Sequence, residues 1–245
     1  MSGLLVSVDE LQAHIDDAGW RVVDCRHDLR NLDYGSQAYA KGHIPGAVFA
    51  HLDRDLSGEK NGSNGRHPLP DAAAFAARVG AWGIGPDTQV VAYDNEGGIF
   101  AARLWWMLRW IGHEKAALLD GGLPGWRRGK HALSPDVPSY PQVEFLLRLR
   151  PDALADLAYV MDRLDSPEML LLDARSPERL AGEEETLDPI GGHIPGALNR
   201  FYFDNLDDAG CYFKPAEELR AEFAQVLAGR QPATVVQQCG SGVTA

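Results

Sequence analysis

The sequence predicts an α/β protein built from one unit used twice, each copy a mostly parallel sheet flanked by helices. Three observations carry this. Arg21-Val22-Val23-Asp24-Cys25-Arg26 is matched by Leu170-Leu171-Leu172-Asp173-Ala174-Arg175. Gly42-His43-Ile44-Pro45-Gly46-Ala47 recurs identically as Gly192-His193-Ile194-Pro195-Gly196-Ala197, at nearly the same offset. Self-similarity at a fixed spacing marks a repeated structural unit. Finally, apolar strand-length runs alternate with helical stretches in both copies, the pattern of a parallel sheet covered on both faces.

Each copy is expected to open on a short helix, near residues 9–17 and 156–164. A β-rich run then ends in Asp-x-Arg, and an irregular loop leads to His-Ile-Pro-Gly-Ala. A helix follows at 71–82 or 216–227, then a second apolar strand at 89–93 or 234–237. Copy one continues with a helix at 99–111, a strand at 116–119 and a short helix at 124–128. Copy two ends at Ala245. By internal symmetry it is expected to lack about 35 residues of its C-terminal part. Pro135, Pro138 and Pro141 predict an extended connector between the copies. The expected division is residues 1–134, a linker at 135–144, and residues 145–245.

Bulk properties narrow the function. A chain of 245 residues, 45% hydrophobic, holds one large domain or two small ones. The net charge of −12 argues against a nucleic-acid partner, which needs a basic face. No apolar run reaches the ~18 residues of a membrane span. Met1-Ser2-Gly3-Leu4-Leu5 has no basic region followed by an apolar core, so no signal peptide is expected. The three cysteines, Cys25, Cys211 and Cys239, show no paired spacing. The expectation is a cytoplasmic protein with reduced thiols, without disulfide or metal site.

Of the three thiols, only Cys239 stands in a chemical setting. It heads Cys239-Gly240-Ser241-Gly242-Val243-Thr244-Ala245, just past a strand end, where ligands bind on parallel sheets. Glycines let successive amides of a tight loop point inward and stabilise a thiolate, and Ser241 and Thr244 add hydroxyl donors. A bland reading is a glycine-rich turn beside a buried cysteine. A cysteine phosphatase would need an arginine six residues after the cysteine to hold phosphate; Ala245 stands there. Copy one carries Asp94 at the equivalent position, and a carboxylate carries no sulfur, so copy one reads as non-catalytic.

On these residues the chain resembles the two-domain rhodanese-like sulfurtransferases, a family that uses thiosulfate or 3-mercaptopyruvate. The marks are the paired His-Ile-Pro-Gly-Ala motifs, Leu119-Asp120-Gly121-Gly122 with Trp126, and the Cys239 loop. The neutral loop resembles the mercaptopyruvate type; the thiosulfate type usually carries two basic residues after the cysteine. The resemblance implies two tandem α/β domains with catalysis in the second. It also implies that Ser241 works with His67 and Asp53, and that Arg179 binds the donor's anionic group with the loop residues Gly240, Gly242, Val243 and Thr244. The mercaptopyruvate type usually has a second arginine before the His-Ile-Pro-Gly motif. Here that stretch reads Glu183-Glu184-Glu185-Thr186-Leu187-Asp188-Pro189. His43 and His193 recur in both copies and are expected to be structural.

The resulting expectation is a sulfurtransferase that carries sulfane sulfur as a Cys239 persulfide, from a small anionic donor to a thiol, cyanide or thioredoxin-like acceptor. No metal or organic cofactor is implied. The alternative is a sulfur-binding or scaffold module without turnover.

Overall fold

Runs such as Val22-Val23 and Val90-Val91-Ala92 are apolar at successive positions, which suits strands buried on both faces. In the computed structural model, which describes residues 3–164 and 166–245, they are the central strands of the first sheet. The strands of copy one are β1 (Leu5–Val6), β2 (Trp20–Asp24), β3 (Val48–Phe49), β4 (Gln89–Tyr93) and β5 (Ala116–Leu119). They lie in the order β1-β5-β4-β2-β3, every pair parallel. The helices are α1 (Val8–Ala13), α2 (Tyr34–Lys41), α3 (Ala72–Ala81), α4 (Ala101–Trp110) and α5 (Gly122–Arg128). Ser7 caps α1 and Asp71 caps α3 through their side-chain oxygens, each satisfying an amide that the helix leaves free. Leu11, Val22, Ile44, Val91, Tyr93 and Trp126 meet in one core cluster.

Copy two has β6 (Leu170–Asp173), β7 (Leu198–Asn199) and β8 (Val235–Gln238), with α6 (Leu157–Arg163), α7 (Pro177–Ala181) and α8 (Ala216–Leu227). Its parallel sheet runs β7-β6-β8, the same sequence of neighbours as β3-β2-β4. In both sheets the aspartate of Asp-x-Arg pairs with the last residue of the neighbouring strand, Asp24 with Tyr93 and Asp173 with Gln238. The residues after these strands, Asp94 and Cys239, therefore leave at the carboxyl end of the sheet. No helix among the described residues is long and apolar enough to cross a membrane.

Three details differ from the sequence reading. The first helix is shorter than expected. The irregular loops after Asp-x-Arg contain α2 and α7. Residues 135–144 do not hang free: the chain divides into two compact units, one reaching to Pro151 and including Gly210–Tyr212, the other comprising Asp152–Ala209 and Phe213–Ala245. Extended chain keeps its own amides unused, and helix C-termini leave carbonyls unused. Val143 N–H donates to Gly80 at the end of α3 (3.0 Å), and Arg150 N–H to Trp110 at the end of α4 (2.9 Å). Tyr140 bonds Gly46 (2.7 Å) and lies under the Arg21 guanidinium, 3.2 Å from its ring centre.

Candidate active site

The paired motifs build the same brace in each unit. Arg26 donates to both oxygens of Asp24 (2.6–3.0 Å) and to the carbonyl of Gly42 (3.0 Å). Arg175 donates likewise to Asp173 (2.7–3.1 Å) and to Gly192 (2.8 Å). Both aspartates are fully buried. Each brace ties a strand end to the start of a His-Ile-Pro-Gly-Ala loop. The histidines of those loops bond backbone carbonyls: His43 at Tyr39 and Asp136, His193 at Leu180. That is a structural use of the repeat.

β8 delivers Cys239 into a loop of bends in which Gly242 takes a left-handed φ of 69°. Gly240 does not. Burial pushes the Cys239 thiol up, but hydrogen bonds from the Thr244 hydroxyl and the amides of Ser241, Thr244 and Val243 prevail. The thiol is held below its ordinary value, the condition for a nucleophile. Cys25 is the contrast: burial, then the negative charges of Asp24, Asp94 and Asp55, push its thiol well up.

Asp94 shows what such a loop does with a carboxylate. Its Oδ1 accepts from the amides of Glu96 and Gly98 (both 2.9 Å), its Oδ2 from Phe100 (2.8 Å) and Ala101 (3.0 Å). Burial nonetheless leaves its pKa raised. The last two donors belong to the start of α4, so Asp94 caps that helix from six residues away. The anion-binding amides of copy one are thus filled by the chain itself.

His67 and Asp53 come together in the same unit, with His67 Nε2 4.0 Å from Asp53 Oδ1, close but beyond hydrogen-bond reach. Burial holds the His67 pKa down at about 4, against the pull of Asp53, so the ring is neutral near pH 7. Sequence reasoning missed three companions. Lys60 bonds Asp53 Oδ1 at 2.6 Å. His27, fully buried, places Nε2 3.7 Å from Asp53 Oδ2, and His51 accepts from the Asp53 amide (3.1 Å). Their only signal was adjacency: His27 follows Asp-Cys-Arg and His51 precedes Leu52-Asp53. His27, His51 and Asp53 bring ligating atoms within 4.8 Å of one another, the one such group among the described residues. The Lys60 ammonium on Asp53 opposes a cation there.

Arg179 belongs to α7, which follows β6, and Cys239 follows β8, so both leave the carboxyl ends of paired strands. Its guanidinium is engaged by Glu185 (2.9–3.2 Å) and Asp188 (3.3 Å). The acidic run flagged in the sequence thus reaches the arginine, a contact the spacing did not foretell. The structure brings Asp53 and His67 together in unit one, and holds Arg179 and residues 239–244 in unit two.

Comparison with known proteins adds a family to this geometry. Residues 7–128 match the rhodanese-like domain family. The chain is 44% identical to the probable 3-mercaptopyruvate sulfurtransferase of Pseudomonas aeruginosa, over 100% of this chain and 86% of that protein. It is 37% identical to the putative thiosulfate sulfurtransferase SseB of Mycobacterium tuberculosis, over 91% of this chain and 78% of that one. The solved structure of SseA from Escherichia coli, a 3-mercaptopyruvate sulfotransferase with the rhodanese fold, matches with a TM-score of 0.84 and 33% identity, covering 99% of this chain and 90% of that chain. With this degree of identity over its whole length, the chain belongs to the rhodanese-like sulfurtransferase family, and its activity is sulfur transfer.

Proposed function

We propose that Cys239 is the sulfur carrier, that the units are tandem rhodanese-like domains, and that only the second is catalytic. The observation that carries this reading is the hydrogen-bonded setting that depresses the Cys239 thiol despite its burial. The donor is a small sulfur-containing anion. The neutral Cys239 loop favours 3-mercaptopyruvate, as do the relatives named for it.

The reaction runs in two halves. The Cys239 thiolate attacks the donor's sulfur. With mercaptopyruvate the carbon–sulfur bond breaks and its electron pair forms the pyruvate enolate. That carbon takes up the proton the donor's thiol gives up, leaving pyruvate and an anionic Cys239 persulfide. With thiosulfate the sulfur–sulfur bond breaks and sulfite leaves. In the second half, an acceptor thiolate or cyanide attacks the outer sulfur and Cys239 returns as thiolate. The loop amides and Thr244 stabilise the anion before and after each half, and such preorganised donors are commonly worth ~3–4 kcal/mol each. Ser241, with His67 and Asp53, is assigned proton handling by the resemblance. Arg179 is assigned the donor's carboxylate or sulfonate. The cellular acceptor is read as a thiol or thioredoxin-like protein in the cytoplasm.

Thiocyanate production from each donor, with wild type and Cys239→Ala, is the test. The variant is expected to be silent with both donors, and wild type treated with donor alone to gain the mass of one sulfur at the Cys239 peptide. Turnover by the variant would eliminate Cys239 as carrier. A kcat/KM in favour of thiosulfate would reverse the donor assignment.

A further inference from the structure

The arginine assigned to the donor already holds a carboxylate. Glu185 presents both oxygens to the Arg179 guanidinium, Oε2 to Nε (3.2 Å) and Nη2 (2.9 Å), Oε1 to Nη2 (3.0 Å). This is the side-on geometry a donor carboxylate would use. The contact is built. Glu185 Oε1 also accepts from the amides of Leu187 (2.8 Å) and Asp188 (3.0 Å), so the loop folds around its own carboxylate. Its side chain is 6% exposed, against 20% for Arg179. Burial pushes the Glu185 carboxyl up, but those amides and Arg179 hold it down at about 2, so it is an anion throughout the working range. Asp188 adds a second carboxylate to Nη2 (3.3 Å), and Arg175 lies 3.7 Å from Glu185 while braced to Asp173. Two guanidiniums therefore face three carboxylates, and the cluster offers an incoming anion no surplus positive charge.

We infer that Glu185 is an internal competitor for the donor-binding face of Arg179, a latch on the segment 182–192 that sets donor affinity and selects donors able to displace a carboxylate. This rests on the assignment of Arg179 to the donor. An anionic donor binds by exchanging with Glu185, and its apparent affinity is lowered by the fraction of molecules in which the latch is closed. The cost is paid at binding, before sulfur moves. It belongs in KM and not in the chemical step. An anion that places two oxygens on the guanidinium exchanges more favourably than a monodentate one, because the Glu185 contact it replaces is itself two-pronged.

The test is a KM-against-kcat split in the full chain. Glu185→Gln keeps an oxygen for the Leu187 and Asp188 amides but removes the negative charge that faces Arg179. The KM for mercaptopyruvate is expected to fall about five-fold or more, the low end of ordinary site coupling, with kcat within about two-fold. The inhibition constant of pyruvate, the anionic product, should fall by the same factor. Asp188→Asn, which leaves the Glu185 caps intact, should lower KM less, and the far-ultraviolet spectra of both variants should match wild type. Arg179→Gln separates the two levels of the argument. If Arg179→Gln raises KM while Glu185→Gln leaves it unchanged or raises it, Arg179 binds the donor but the latch is refuted. If Arg179→Gln leaves KM unchanged, the assignment of Arg179 is itself wrong and the latch goes with it.

Discussion

Two cysteines of this chain sit one residue beyond a parallel strand and meet opposite fates. Cys25 follows β2 and is enclosed with Asp24 and Asp94 close by; burial and those charges push its thiol well up. Cys239 follows β8, and the amides and Thr244 hydroxyl of its own loop outweigh its burial. Limited iodoacetamide treatment followed by peptide mapping should label Cys239 first and leave Cys25 unlabelled in the native protein. The pH profile makes a second demand. Because the thiolate is the reactive form, kcat/KM for the donor rises as pH climbs through the Cys239 pKa, below the ordinary thiol range. Thr244→Val removes a donor that favours the anion, so the rising limb should shift to higher pH, with a loss of roughly ten-fold or more near neutrality, the worth of one hydrogen bond to a charged group. An unmoved limb would show that Thr244 does not act on the thiolate.

Loops, strand ends and helix starts act as single devices. Asp94 joins β4 to α4 by accepting four amides, two of them at the α4 start. Asp94→Asn turns its Oδ contacts partly into donor against donor, and should destabilise the protein by about 2 kcal/mol in urea titration without abolishing sulfur transfer. The Asp-x-Arg braces are costlier to break. Asp173→Ala leaves the Arg175 guanidinium, 9% exposed, without its carboxylate, and a penalty of about 3–5 kcal/mol is expected for a broken buried pair. The two braces have unequal surroundings. In unit one the Tyr93 hydroxyl donates to Asp24 (2.7 Å), whereas the matching position in unit two is Gln238, whose buried Nε2 finds no partner among the described residues.

For the molecule as a whole, buried histidines set a loss of stability in mild acid. His27, His51, His67 and His113 are all held below the usual histidine range, burial being the largest cause in each. The unfolded chain binds protons there that the native protein refuses, so stability is present above about pH 6.5 and declines as pH falls toward 4. His67→Asn should flatten that decline in a series of urea titrations; an unchanged slope would remove His67 as its source. Limited proteolysis addresses the division of the chain. Cleavage is expected in the largely exposed stretch 152–156, past the bonded Arg150 and before α6, and not at 135–144, where Tyr140 and Val143 are bonded to the first unit. The α/β pattern was legible beforehand, because apolar runs and the strings Asp-x-Arg that end them are local features whose backbone demands can be read one residue at a time. Strand and helix positions such as 89–93, 116–119 and 216–227 followed from period and length alone. Contacts between side chains distant in sequence were not legible, since identity says nothing of which rotamers meet. That Lys60 and His27 converge on Asp53, that Glu185 closes on Arg179, and that Val143 and Arg150 complete the ends of α3 and α4 was decided by folding, which buries most polar groups where partners are found for them.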